Sequence, residues 1–280
     1  ATFHRQREPL GYTAYPTLLS RVVRRALLEF PSPGTLAALD RIGVHRVIVH
    51  EGREQGADLR DQILNFGPPD RDQRLAEAFA LAGLDVVGGS VAAERAGTIE
   101  REARFGPWRA GDFSADGERV YRFAAPAGMG PAPLARGQVV PGNRLKIRAK
   151  EGDARAAFDQ RIDTSYVVER PLRGDEFIEA RFDRAIALTG VELVLRHESA
   201  WPTRFRIATL GNDGRFTEVA RWDAAHLLQL VDGLLRDPRG GTISFALSGE
   251  SVLGVALLPE TGGTSAAGWN LPELRLLERP

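Results

Sequence analysis

Two short stretches place chemically capable side chains close together. Ala157-Phe158-Asp159-Gln160-Arg161-Ile162-Asp163-Thr164-Ser165-Tyr166 is a turn-rich segment with two acids, hydroxyls and an aromatic ring. His197-Glu198-Ser199-Ala200-Trp201, followed by Arg204, brings an imidazole, a carboxylate, an indole and a guanidinium into one loop. A sugar site needs an aromatic face for the C–H side of the ring and a few fixed donors and acceptors for its hydroxyls. Tyr166, His197, Glu198, Trp201 and Arg204 are residues of those types. A packing role competes with that reading, because Trp201-Pro202 can close the rim of a fold and Tyr166 can belong to its core. Acids in turns also serve as caps and Asx-turn formers.

The elements around these stretches read as antiparallel β structure. In Phe177–Asp183, Ile178, Ala180 and Phe182 alternate with Glu179, Arg181 and Asp183, which predicts a strand with one buried and one wet face. Val191, Leu193 and Leu195 repeat that period, as do Phe205 and Ile207, and Asn212-Asp213-Gly214 predicts a hairpin into Phe216–Val219. Asp223 is placed to cap a helix through Leu227, Leu228, Leu230, Val231, Leu234 and Leu235, which Pro238-Arg239-Gly240-Gly241 would stop. Strands resume at Ile243–Leu247 and Val252–Leu258, and Leu274-Arg275-Leu276 reads as the last. Loops at the ends of such sheets carry function, which directs attention back to the two opening stretches.

The first half alternates helices and strands. Leu19, Val22, Val23, Ala26, Leu27 and Phe30 form one helical stripe. Ser32-Pro33 suits the cap and first turn of a second helix over 35–42, which Gly43 can close in a left-handed conformation. Strand 44–50, a helix from Asp72 to Gly83 and strand Leu84–Val87 predict a βαβ unit with parallel strands. Ile99–Phe105 and Arg119–Phe123 read as further strands of that small sheet. The expected organisation is a small α/β domain over 1–123, a Pro/Gly-rich linker over 124–143 and a β-sandwich over 144–280.

Composition narrows the chemistry. The 37 basic and 37 acidic residues cancel, so electrostatics give no reason to expect nucleic acid as a partner. With no cysteine there is neither a disulfide nor a thiolate nucleophile. No apolar run reaches the roughly 18 residues that a membrane helix needs, and the start at Ala1 without Met fits a processed chain or an excised piece. His45 and His50 are at odd spacing on one strand, on opposite faces, and cannot be joint metal ligands. Gly88-Gly89-Ser90 lacks phosphate-loop spacing, and nothing separates Glu100/Glu102 or Glu176/Glu179 from solvated strand faces.

Residues 140–280 resemble the discoidin, or galactose-binding-like, β-sandwich family (jelly roll). The resemblance is carried by Ala157-Phe158-Asp159 with Thr164 and Tyr166, by Glu176–Phe182, by Asn212-Asp213-Gly214-Arg215-Phe216, and by Trp269-Asn270-Leu271-Pro272-Glu273-Leu274-Arg275-Leu276. Gln160 stands where that family has a turn glycine, Tyr166 where it has a tryptophan, and the helix at Asp223–Arg236 is an insertion. The resemblance implies a structural calcium ion held by Asp159, Asp163, Thr164 and Glu273, and a glycan as ligand of the loops. Residues 1–123 look like the soluble tail of bacterial GT-C-type membrane glycosyltransferases, through Phe3-His4-Arg5-Gln6, Gly11-Tyr12, Phe30-Pro31-Ser32-Pro33 and Leu39–His50. That likeness implies a membrane-spanning, catalytic region upstream of Ala1, with the present chain as its non-catalytic, extracytoplasmic accessory module. A free-standing secreted carbohydrate-binding protein and a soluble glycoside hydrolase are the alternatives.

Overall fold

The structure is a computed structural model and describes residues 17–27, 32–44, 46–51, 100–105, 117–122, 127–168, 175–196, 199–201, 204–260 and 270–280. The chain divides into two compact units, Val23–Met129 and Gly130–Pro280, the second together with the residues through Val22.

Helices α1 (Leu18–Leu27) and α2 (Pro33–Arg41) open the chain. The start of α2 follows from its residues: the Ser32 hydroxyl accepts from the Thr35 amide at 3.3 Å, and Pro33 occupies the first turn, where a missing N–H costs nothing. Its end follows from Gly43, which takes φ +78° while its amide donates to the Asp40 carbonyl. Thr35 is buried, and its hydroxyl donates to the Ala26 carbonyl at 2.6 Å.

Strands β1 (Arg46–Glu51), β2 (Glu100–Phe105) and β3 (Gly117–Arg122) form a sheet in the order β1-β3-β2, with both pairings antiparallel. The predicted helix from Asp72 and strand Leu84–Val87, which would supply the parallel pairing of a βαβ unit, lie outside the described residues.

The second unit is an antiparallel β-sandwich built on one strand. β7 (Ile178–Arg196) runs 19 residues and belongs to two sheets in turn. Its first half pairs with β5 (Leu145–Ala149) and β11 (Ser251–Pro259); β11 continues to β8 (Phe205–Leu210), and β8 to β9 (Phe216–Arg221). Its second half pairs with β10 (Gly240–Ala246) and β13 (Glu273–Glu278), and β13 continues to β4 (Gln138–Val139). A third, two-stranded ladder joins β6 (Tyr166–Val167) to β12 (Asn270–Leu271). Ile178, Ala180, Phe182, Leu193 and Leu195 of β7 are buried, as the alternation predicts. Glu179 is buried as well, with its carboxylate bound by Arg181.

The hairpin between β8 and β9 closes through the predicted residues: Gly214 takes φ +75°, and the Asp213 carboxylate accepts from the Arg215 amide at 3.0 Å. Helix α3 (Ala224–Arg236) follows, capped by Asp223, and packs on β10 through Leu228, Leu230, Val231 and Leu234. Leu235, predicted to lie with these apolar residues, is exposed instead.

The two β7 segments read as separate strands in the sequence form one continuous strand, paired along its length with β5, β10, β11 and β13. Gly190 sits between two neighbours, and an added Cβ there would lie 2.2 Å from the Ala135 Cβ and 3.0 Å from the Phe245 carbonyl oxygen. We expect Gly190→Ala to lower stability by about 2 kcal/mol, the scale of an overpacked core, as read from the urea midpoint.

Candidate binding and cation site at the loop end of the sandwich

The Asp159–Tyr166 turn follows a short 3₁₀ segment, Ala154–Phe158, whose Ala157 and Phe158 are buried and fix its position. Gln160 takes φ +59°, the left-handed conformation that glycine adopts at least cost. The Asp159 carboxylate accepts from the Arg161 amide at 2.9 Å.

Oxygen atoms crowd the Thr164 hydroxyl. Both Asp159 carboxylate oxygens lie within hydrogen-bond range at 3.0 and 2.8 Å, the Arg161 carbonyl at 2.9 Å and the Ala156 carbonyl at 3.4 Å. A hydroxyl has one proton, so it can donate fully to only one of these four acceptors.

Glu273 approaches from the start of β13. It is 1% exposed, and its Oε2 is buried with no hydrogen-bond partner. Burial pushes its pKa up to about 7; Arg275 and the Gln160 amide pull it down, while the Asp159 charge raises it further. Glu273 at the start of β13 and Asp159 in the turn are thus near enough for their charges to interact.

These residues fit a hard divalent cation such as calcium, which takes six to eight oxygen ligands and no particular side-chain type. An orphaned buried carboxylate oxygen and an excess of acceptors over protons are the two observations behind that fit. Among the described residues no three His, Asp or Glu side chains converge. The groups that would hold such an ion are Asp159, Glu273 and the Thr164 hydroxyl, with the carbonyls of Ala156 and Arg161. Asp163 departs from the predicted set: its exposed carboxylate is taken by the Arg161 guanidinium at 2.9 and 3.2 Å, which holds it below its ordinary pKa.

The aromatic pair lies inward. Tyr166 and Trp201 are each 3% exposed, and the Tyr166 hydroxyl donates to the Glu151 carbonyl at 2.7 Å. A ring buried to that degree offers no open face to a sugar. Ser199 and Ala200 hold the second loop in place. The Ser199 hydroxyl accepts from the Arg196 amide, its carbonyl accepts from Arg21 at 2.8 Å, and Ala200 exchanges backbone bonds with Asn270. Arg204 is exposed at the foot of β8, and His197 and Glu198 lie outside the described residues.

Half of the chain has counterparts among solved structures. The sandwich resembles carbohydrate-binding modules. One is the family 32 module of NanJ from C. perfringens in complex with galactose, 15% identical, spanning 50% of this chain and 98% of its own, with a TM-score of 0.37. Another is chitosan-binding module 1 from a chitosanase/glucanase of Paenibacillus sp. IK-5, 17% identical, spanning 51% and 99%, with a TM-score of 0.39. A third, CpGH89CBM32-5 from Clostridium perfringens in complex with GalNAc-β-1,3-galactose, is 16% identical over 50% and 99%, with a TM-score of 0.36. At these values the likeness is one of strand arrangement and brings no function with it. No family model matches the chain, and no curated protein does.

Two residues that matter were not read from the sequence. Gln229 stands within the apolar stripe of α3, and it is buried with both ends of its amide hydrogen-bonded. His226, in the first turn of α3, stacks on Phe245 at 4.2 Å. An apolar stripe interrupted by one amide was the available signal for the first; nothing marked the second.

Proposed function

We propose that the sandwich is a non-catalytic glycan-binding module whose binding end is organised by a calcium ion. The observation that supports this reading is the convergence of the Asp159–Thr164 turn and the buried Glu273 on one oxygen-rich place, beside the loop anchored through Ser199 and Ala200. Calcium would supply a fixed positive charge between Asp159 and Glu273. The protein contributes the rest: the 3₁₀ segment holds the turn, and Arg21 ties down the Ser199 carbonyl. Glycan contact then falls to His197, Glu198 and Arg204.

Calorimetric titration with galactose and with chitosan oligosaccharides, the ligands named for the similar modules, tests the reading. We expect binding in calcium that weakens at least tenfold, about 1.4 kcal/mol, in chelator and in Arg204→Ala. Absence of heat with a broad glycan panel in calcium would remove the proposal. The finer reading, that the module sits outside the cytoplasm as part of a membrane glycosyltransferase and packs on its membrane-spanning region, rests on the resemblance of residues 1–123 alone. Recovery of the native gene product in the soluble fraction, with no membrane-spanning region encoded upstream, would overturn it. No helix among the described residues is long and apolar enough to cross a membrane.

A further inference from the structure

A recess of about 360 Å³ opens on a different part of the sandwich, where α3 begins. That volume falls at the low end for small-ligand sites, which start near roughly 300 Å³. Its walls are apolar, from Pro131, Pro133, Ala220 and Phe245. They hold their shape because the Ala132 amide donates to the Ala225 carbonyl at 2.9 Å, and the carbonyls of Ala132 and Pro133 accept from Gln229.

Three polar side chains reach this recess: Arg221, Asp223 and His226. Asp223 Oδ1 accepts from the His226 amide at 3.1 Å and lies 2.6 Å from His226 Nδ1. That bond puts the imidazole proton on Nδ1 and leaves Nε2 as an acceptor. One ring face lies on Phe245 at 4.2 Å, and Trp222 is tilted against the ring at 6.2 Å. The side chain keeps 13% exposure and lines the recess. Burial lowers the His226 pKa, which keeps that lone pair available. Asp223 Oδ2 is a second acceptor. The Arg221 guanidinium is held by Glu218 at 2.5 Å and approaches Glu260 at 3.9 Å.

The recess is therefore apolar in its walls and acceptor-rich at its mouth. A purely apolar guest would desolvate both acceptors without replacing their bonds, and an anion would meet the Asp223 carboxylate. What satisfies both is a compact ring with an apolar face and hydroxyl or amino donors along one edge. We propose that this recess is a second ligand site, for one monosaccharide unit gripped by Asp223 and His226. It stands independently of the loop-end reading, since none of its residues belongs to that end.

The test is a heteronuclear NMR titration of the ¹⁵N-labelled chain with methyl β-D-galactopyranoside and, separately, D-glucosamine. Both are taken to about 50 mM, far enough to saturate a millimolar site. We expect saturable shifts at the Ala225, His226 and Ala246 amides and at the His226 ring nitrogens with at least one of the two sugars. His226→Phe, which keeps a ring on Phe245 and removes the acceptor, should weaken binding at least tenfold. Ala225→Leu, which fills the recess from a half-buried helical position, should do the same if the first variant does not fold. Unshifted resonances with both sugars, or shifts retained in both variants, would refute the site. Shifts confined to residues 156–166 and 199–204 would refute it too, while supporting the loop-end reading; shifts at the recess alone would do the reverse.

Discussion

In chelator, Glu273→Gln is expected to be more stable than the parent chain at about pH 8 and equal to it near pH 4.5, with a difference of about 3 kcal/mol at the alkaline end. The sign follows from the proton. The carboxyl titrates near 4.5 unperturbed and near 7 in the folded chain, because burial disfavours its charged form. The fold thus holds this proton more tightly than the unfolded chain does. Below the unfolded value both states are protonated and the group is neutral toward stability. Between the two values stability falls as pH rises, and above the folded value the loss is constant. Glutamine has no proton to lose, so its curve lacks that slope.

Calcium should reverse the order. Binding requires the ionised carboxylate, and the cation supplies the charge that the buried site lacks, so the parent chain gains most at alkaline pH and little near pH 5. The variant, short of one ligand, should gain far less at any pH. Denaturant melts at three pH values, each with chelator and with calcium, contain the whole comparison. Parallel pH profiles for the two proteins in chelator would refute the buried-carboxylate account. A melting midpoint indifferent to calcium at alkaline pH would refute the cation.

Much of this architecture was legible in the sequence where local chemistry decides it. Ser32-Pro33 with Gly43 bounded α2, Asp213-Gly214 closed the hairpin, and Asp223 began α3, each through a backbone group that the residue satisfies or a conformation that it allows. Alternation placed Ile178, Phe182, Leu193 and Leu195 inside. What local chemistry does not decide was not legible. The continuity of β7 is set by partners on four other strands, and the two-residue β6 and β12 form a ladder between segments distant in sequence. Of the candidate residues, Asp159 and Thr164 meet in one turn, and Glu273 lies near enough to feel the Asp159 charge. Asp163 went to Arg161 because a neighbouring guanidinium lay within reach of an exposed acid. The inward turn of Tyr166 and Trp201 follows from their large apolar surface, which the same sequence offered equally as a sugar platform.

The second large effect is expected at Gln229. Its Nε2 faces the carbonyls of Ala132, Pro133 and Ser244 at 3.1, 3.3 and 3.1 Å, and its Oε1 accepts from the Ser244 amide at 2.7 Å. Four backbone groups from the lead-in to the sandwich and from β10 therefore depend on one side chain of α3. Leucine at this position would fit the apolar stripe, and pattern alone would favour it. Yet Gln229→Leu leaves those groups buried beside a hydrocarbon, and each orphaned group costs about 1–3 kcal/mol, with partial relief where a carbonyl has a second partner. We expect a loss of about 4 kcal/mol in chemical denaturation. Gln229→Glu should lose less near pH 4.5, where the acid is protonated and can donate one bond, and more at neutral pH, where a buried charge would face carbonyl oxygens. A Leu variant as stable as the parent would show that the helix is held by its leucines alone; a large loss would show that the amide is what joins α3, β10 and residues 132–133.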